Sequence, residues 1–240
     1  MKISLSIPVK NEIEGVKAIM PRIKKDWVDE IIIVDGHSTD GTREWLEAQG
    51  YRVIEQKLPG AVGGYWESMV HATGDAIILF SPDGNSIPEL IPEVVKKLKE
   101  GNDMVVVSRY KDRAKSIDDT SMSAFGNWFF IKLVNLLFRG NYTDVFVIFR
   151  GFKKSLLDKF GFSEKTGYRF NKSRTSMIEI LLSIECAKHK LKVVEIAGDE
   201  PPRIGDPGGS RLFPRFRDRI YGGLAALYYV LSGIFSKLRE

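Results

Sequence analysis

The chain has 240 residues, 43% hydrophobic and 28% charged, with a formal net charge of +5. This is ordinary globular composition, enough for one large domain or two small ones, burying roughly 70–75% of the unfolded surface. The mild positive balance excludes a dedicated nucleic-acid binder. The basic residues gather at 109–115 and 203–219 instead, which suits an anionic ligand or an anionic membrane surface.

A single cysteine, Cys186, excludes a disulfide framework and fits a reducing compartment, where it reads as a packed core thiol. His37, His71 and His189 have no metal-ligand spacing, so no zinc site is expected. Residues 1–9 already carry a strand pattern, so no signal peptide is expected at the start.

In chain order, "ISLSIPV" (3–9) reads as a strand and 13–25 as a helix. "EIIIVDG" (30–36) is a second strand, followed by a helix from Thr42 to Gln49. "YRVIEQ" is a third strand, "GAVGGYW" (60–66) a tight glycine-rich loop, and 65–72 helical. "DAIILF" (75–80) is a fourth strand, "PELIPEVVKKLKE" a helix with proline in its first turn, and "DMVVVS" (103–108) a fifth strand. Beyond a charged loop, 121–138 reads as a strongly apolar helix. "DVFVIFRGF" is then a strand candidate, 174–189 a helix and 191–196 a strand.

Continuous apolar strands alternating with helices predict an α/β fold with a mostly parallel sheet covered on both faces. Ligands of such sheets bind beyond the carboxyl ends of the strands. That rule puts Lys10–Glu12, Asp35–Asp40 and Asp83–Asn85 along one rim. Neither GxxxxGKS/T nor a GxGxxG after the first strand is present, so phosphates are not expected to be held as in a P-loop or a dinucleotide fold.

The stretch "LFSPDGNSIPE" (79–89) leaves an apolar run through Pro82 and Asp83, with Asn85 two residues on. Asp83 and Asn85 offer oxygen ligands to a hard cation such as Mg²⁺, which takes few protein carboxylates and completes its shell with water and phosphates. Arg109, Arg203 and Arg211 could clamp those phosphates, since guanidinium matches phosphate oxygens in a fork. The competing reading makes Asp83 a turn and capping residue.

The segments "IPVKNE", "VDGHSTDGT", "GDAIILFSPDGNSIPE", "VSRY" and "EPPRIG…SR", in this order, resemble family 2 glycosyltransferases of the GT-A fold. The closest resemblance is to the polyprenyl-phosphate group that includes dolichyl-phosphate mannose synthase, over about residues 1–212. It implies transfer of a sugar, with inversion, from a GDP- or UDP-sugar to a polyprenyl phosphate, assisted by Mg²⁺ or Mn²⁺. Pro8, Lys10 and Glu12 match the first-strand segment that touches the nucleotide, and Asp35 the acid that contacts base or ribose. Asp83 matches the last acid of the DXD motif and Asn85 the ligand two residues later. Arg109 matches the arginine of the family's "SRY" segment, and Arg203 with Arg211 the C-terminal diphosphate clamp. Asp144 and Glu179 match acids near the acceptor and donor sugar.

Three departures stand out. Ser81 replaces the first DXD carboxylate, "VDGHS" replaces "VDDGS", and "DPGG" is inserted between Gly205 and Ser210. They leave open the nucleotide, the metal dependence, and a degraded sugar-nucleotide-binding protein without turnover. A phosphate monoester acceptor is largely dianionic at neutral pH and needs no general base. A hydroxyl of a lipid-linked or surface glycan would need one, with Asp144 or Glu179 as candidates. Asp118 and Asp119 read as solvated loop residues.

The expected division is a catalytic domain at 1–212 and a C-terminal helix at 213–240. Residues 220–236 carry no charge, are flanked by Arg215, Arg217, Arg219, Lys237 and Arg239, and fall short of the about 18 apolar residues of a spanning helix. Either this helix lies in a membrane interface or it packs on the domain or a second copy in a homo-oligomer. The helix at 121–138, with Trp128, Phe129 and Phe130, is either a second lipid-facing element or a core helix. The expectation is peripheral attachment to the cytoplasmic face of a membrane.

Overall fold

The structure, a computed structural model, describes residues 1–117, 119–162, 178–205, 224, 226–228, 230 and 231. Its strands are β1 (Ile3–Val9), β2 (Glu30–Asp35), β3 (Val53–Glu55), β4 (Ala76–Leu79), β5 (Met104–Ser108), β6 (Arg150–Lys153) and β7 (Val193–Ala197). Its α-helices are α1 (Ile13–Ile19), α2 (Thr42–Ala48), α3 (Gly60–His71), α4 (Ile91–Lys99), α5 (Ser121–Phe138), α6 (Ser155–Lys159) and α7 (Ile178–Lys188).

The strands form one seven-stranded sheet in the order β3-β2-β1-β4-β6-β5-β7. Every pairing is parallel except those of β6, which is antiparallel to both β4 and β5. The expected mostly parallel sheet is therefore present, with one reversed strand inserted. That reversal matters for the site. Because β6 runs backwards, the residues just before it lie at the carboxyl ends of its neighbours, and Val107 N–H donates to the Phe149 carbonyl at 3.0 Å.

Alternation along the strands feeds two cores. On one face Ile3, Leu5, Ile7, Ile78 and Val105 pack with Val16 of α1 and Val94 and Leu98 of α4. On the other, Ile77, Leu79, Met104 and Val106 pack with Met69 of α3, Val134 and Phe138 of α5, and Ile180 and Ile184 of α7. Each large side chain so buried contributes about 1.5–3 kcal/mol. Cys186 is buried in the second cluster, as expected of a core thiol. β1 turns Ser4 and Ser6 toward α3, and both are satisfied: Ser4 Oγ donates to Glu30 at 2.6 Å, and Ser6 pairs with Ser68.

Several boundaries differ from the sequence reading. The helix expected over 13–25 stops at Ile19, and two 3-10 turns follow, Met20–Arg22 and Lys25–Trp27. Pro21 has no N–H to continue the α-helical ladder. The glycine run expected as a loop is instead the start of α3. A Cβ on Gly63 would lie 2.3 Å from the Leu58 carbonyl oxygen, so only glycine lets this helix begin so close to its lead-in. "DVFVIFRGF" is a strand only from Arg150. Asp144 Oδ1 accepts from Phe146 N (3.0 Å) and Val147 N (3.1 Å), holding the segment in a turn that a ladder cannot share.

The expected helix at 174–189 is described from Ile178; its first residues lie outside the described residues, as do Asp118, Arg211 and most of 213–240. Of the tail, Ala226 and Val230 are buried in the second core, while Leu224, Leu227, Tyr228 and Leu231 face outward. Among the described residues, no helix is long and apolar enough to cross a membrane.

Candidate active site

The rim expected from the strand ends is formed by the segments after β1, β2 and β4. After β1, Asn11 adopts a left-handed φ of 52°. Its N–H donates to Ser38 Oγ at 2.9 Å, and its side chain accepts from Thr39 N at 2.8 Å. Ile13 N donates to Asp40 Oδ2 at 3.1 Å. The two loops therefore brace one another. Asp35, at the end of β2, is buried; Oδ2 accepts from Ser38 N at 3.1 Å, and Oδ1 has no partner among the described residues. A buried carboxylate oxygen left unpaired costs about 1–3 kcal/mol or more. Such a group is suited to receive a hydroxyl or amide from outside. Lys10 is exposed and Pro8 half-buried beside Gly64.

After β4 the chain passes through the buried Pro82 to Asp83, which is 5% exposed. A Cβ on Gly15 would lie 2.4 Å from the Pro82 carbonyl oxygen, so α1 packs directly on this backbone. Asp83 Oδ2 lies 3.2 Å from Arg203 Nη1. The Ile204 N–H donates to the Asp83 carbonyl at 2.8 Å, drawing the segment that follows β7 onto the same turn.

Asn85 N donates to Asp83 Oδ1 at 3.2 Å. With the amide turned to satisfy both its ends, Asn85 Nδ2 donates to Asp83 Oδ1 (2.6 Å) and its oxygen accepts from Arg203 Nη2 (3.1 Å). Tyr65 of α3 completes the group. Burial raises its hydroxyl pKa far above the ordinary value, Glu179 and Asp83 add to the rise, Arg203 opposes it, and Glu12 raises it further.

Beside this group is a second cluster. Arg109 Nε donates to Asp144 Oδ2 (2.7 Å) and Nη2 to Asp144 Oδ1 (3.1 Å), while Nη1 reaches Glu200 at 3.3 Å. Asp144 is fully buried. Burial pushes its carboxyl up, but Arg109 and the Phe146 N–H outweigh that and hold it below the ordinary range. Glu200 goes the other way: burial raises it more than Arg109 and Ser116 lower it. Glu179 is also raised by burial, which Arg150 only partly offsets. The guanidinium of Arg150, fully buried, donates not to that carboxylate but to the Glu179 carbonyl (2.7 Å), Ser183 Oγ (3.1 Å) and the Val145 carbonyl (3.2 Å).

The structure thus brings Asp83, Asn85 and Arg203 into contact beside Tyr65, whose hydroxyl also feels the charges of Glu12 and Glu179, with Asp35 at a neighbouring strand end. Arg109 and Asp144 come together as an ion pair with each other. Among the described residues, no three His, Cys, Asp or Glu side chains converge as a metal cluster. Asp83 with the Asn85 oxygen still fits a hard cation that takes one carboxylate and draws its other ligands from phosphate and water.

Sequence reasoning missed Tyr65, Arg150 and Glu200. Glu200 opens the noted "EPPRIG" segment, where it was given no role. Tyr65 was hidden by reading its first turn as loop, and Arg150 by reading its segment as plain strand.

Comparison with known proteins identifies the family and the fold. The model of the family described as Glycosyl transferase family 2 matches residues 4–161, well over half of the chain. A protein named Glycosyltransferase AglJ, from Haloferax volcanii, is 25% identical over 205 residues, 85% of this chain and 63% of that protein. One named Dolichol-phosphate mannosyltransferase, from Pyrococcus furiosus, is 32% identical over 120 residues, 46% of this chain and 34% of that protein. The chain thus spans less than two thirds of the length of these relatives. Among solved structures, glucosyl-3-phosphoglycerate synthase from Mycobacterium tuberculosis, in complex with Mn²⁺, UDP and phosphoglyceric acid, superposes with a TM-score of 0.67 at 20% identity. It covers 97% of this chain and 78% of that one. That likeness is one of fold, and it is the GT-A arrangement expected from the sequence.

Proposed function

The chain belongs to glycosyl transferase family 2, and from that premise we propose that it transfers a sugar from a UDP- or GDP-sugar to a polyprenyl phosphate. The observation that carries this reading is the contact between Asp83 and Arg203 at the carboxyl end of β4. It puts a carboxylate suited to a cation and a guanidinium suited to a phosphate at one point on the rim. Asp35, with its unpartnered buried oxygen, supports a place for the nucleoside at the neighbouring strand end. The polyprenyl phosphate rests on the name of the Pyrococcus relative and on the sequence resemblance.

Asp83 and Asn85 would hold Mg²⁺ or Mn²⁺. Such an ion, when bound, supplies neutralising charge to the departing diphosphate. Arg203 orients the diphosphate and Glu12 and Lys10 flank it, with Arg211 a further clamp on sequence grounds. An acceptor phosphate is already an anion, so the protein's contribution reduces to aligning its oxygen with the anomeric carbon and excluding water. Asp144 is unsuited as a base, because Arg109 lowers its proton affinity and occupies both its oxygens. Arg109, in turn, acts toward the phosphates only by way of its positive field, since its fork is directed at Asp144 and Glu200.

A second reading has its own observation. The raised pKa of the buried Glu179 carboxyl suits a general base, which a sugar-hydroxyl acceptor would require.

Membrane attachment is supported by α5. It carries no acidic residue, has Lys132 on it and Arg139 at its end, and exposes Met122, Phe125, Trp128, Phe129 and Leu136. Trp128 is 55% exposed and Leu136 78%, too much apolar surface for a solvated helix. An anionic bilayer fits this face, and it would bring the active-site rim to a lipid-borne phosphate.

The test is a transfer assay with radiolabelled UDP-glucose and GDP-mannose, undecaprenyl or dolichyl phosphate in detergent, and Mn²⁺. Label should enter the organic phase in a form released by mild acid, and Asp83→Asn should lower the rate by about 100-fold or more. Label that survives mild acid would favour the hydroxyl acceptor. Nucleotide binding without any transfer would leave a binding protein that has lost turnover.

A further inference from the structure

Both oxygen ligands that the sequence offers to a cation face the same side chain. Arg203 presents Nη1 to Asp83 Oδ2 at 3.2 Å and Nη2 to the Asn85 amide oxygen at 3.1 Å. The guanidinium therefore spans the two positions as a fork. Its placement is set by the backbone. Ile204 N donates to the Asp83 carbonyl at 2.8 Å, and the Ile204 side chain lies over Gly84, whose φ is +91°. A Cβ on Gly84 would meet Ile204 Cγ1 at 2.6 Å, so this close seat is open only to glycine.

Charge sharpens the point. Ser81 stands where the family pattern has a second acid, so Asp83 is the one carboxylate of the 81–85 turn, and the Arg203 guanidinium lies directly against it. A divalent ion arriving alone would meet a positive charge across a carboxylate that is only 5% exposed, where like charges repel more strongly than in water. A diphosphate offers the guanidinium a better, doubly bonded partner.

We propose that Arg203 is the resident counter-ion of Asp83 and makes divalent-ion binding conditional on nucleotide. The diphosphate draws the guanidinium toward itself, and Asp83 Oδ2 and the Asn85 oxygen then open to the ion. The proposal rests on the reading that a nucleoside diphosphate binds at this rim. Coupling of binding free energies is reciprocal, so each ligand tightens the other by the same factor.

The experiment measures free Mn²⁺ by electron paramagnetic resonance with wild type, Arg203→Met and Arg203→Lys, each without nucleotide and with UDP or GDP. Wild type should bind Mn²⁺ weakly alone and at least about tenfold more tightly with the nucleotide it accepts, within the roughly 5–150-fold range of such couplings. Arg203→Met should bind Mn²⁺ about tenfold more tightly than wild type without nucleotide, and its coupling should be smaller than that of wild type, the remainder being what the phosphates themselves supply to the ion. Arg203→Lys, which keeps the charge and loses the fork, should lie between. Arg203→Met binding no better than wild type in the absence of nucleotide overturns the proposal. So does Arg203→Lys matching wild type throughout, because charge alone, without the fork spanning both ligands, would then explain the effect. If neither nucleotide binds while Arg203→Met still gains Mn²⁺ affinity, the counter-ion stands and the donor reading falls. Should Arg203→Met not fold, Ile204→Ala loosens the same seat and should raise Mn²⁺ affinity in the same direction; an unchanged affinity there overturns the proposal.

Discussion

The Arg109 guanidinium is joined to Asp144 by two hydrogen bonds, of 2.7 and 3.1 Å, and the Arg109 N–H adds a third at 3.3 Å, although 35 residues separate them in the chain. Asp144 is fully buried, so its charge is stable chiefly because the guanidinium lies against it, with backbone N–H groups adding to the effect. Removing one partner of such a pair costs about 3–5 kcal/mol. Arg109→Met should therefore lower Tm by roughly 10 °C at neutral pH. Arg109→Met/Asp144→Asn should recover part of the loss. Thermal unfolding of the two variants checks this, and an unchanged Tm in the single variant would mean the charge is not held inside.

The same pair sets the acid limb of stability. The folded pKa of Asp144 lies below its ordinary 3.8, so its contribution is complete above that value and is lost as pH falls through the depressed one. Unfolding curves of wild type between pH 5 and pH 2 should fall more steeply than those of Arg109→Met, in which this contribution is absent.

Glu179 has the opposite sign. Its folded pKa is raised by burial, so as pH climbs past 4.5 the unfolded chain ionises first and stability declines. Glu179→Gln escapes that decline. Its Tm relative to wild type should rise between pH 4 and pH 8, by about 2–4 °C for each kcal/mol relieved. Transfer assays on the same variant separate the acceptors: activity persists with a phosphate acceptor and collapses by about 100-fold or more with a hydroxyl acceptor.

Gly15 lets α1 approach the turn that carries Asp83. In Gly15→Ala the new Cβ would lie 2.4 Å from the Pro82 carbonyl oxygen, a backbone atom that cannot swing away. A loss of about 1–3 kcal/mol is expected, together with weaker Mn²⁺–nucleotide binding in calorimetry. Normal binding despite lowered stability would show that the Asp83 turn tolerates the shift.

The exposed aromatics of α5 contribute little to folding and should matter to membrane binding. Phe125→Ser/Trp128→Ser should keep the Tm of wild type within about 2 °C, since exposed substitutions are near neutral. Cosedimentation with phosphatidylglycerol vesicles should fall at least about tenfold, since each aromatic withdrawn from the interface removes apolar area. Equal cosedimentation of variant and wild type would remove α5 from the membrane contact.

Much of the fold was legible because its signals are local. β1, β2, β4 and β5 are short apolar runs, and α5 occupies the predicted 121–138. Thr120 and Ser123 cap it reciprocally, a signal confined to four successive residues. The extent of β6 was not legible, because the Asp144 side chain competes with the ladder for the N–H groups of Phe146 and Val147. The start of α3 was also missed, since glycines that serve close packing look the same in sequence as glycines that serve a loop.

Of the site, the sequence supplied the membership of the rim: Lys10, Glu12, Asp83 and Asn85 follow, and Asp35 ends, strands whose carboxyl ends share one edge. Family membership followed from the order of the same segments. What it left open was pairing. Arg109 was expected to meet phosphate, yet it is bonded to Asp144 and to Glu200, the latter 91 residues away. Arg203 meets Asp83 itself, across a comparable length of chain. Strand identity depends on neighbours in sequence, whereas the partner of a charge is whichever opposite charge folding brings within about 4 Å. The insertion of β6, reversed, between β4 and β5 decided that for Asp144, and the Ile204–Gly84 seat decided it for Asp83.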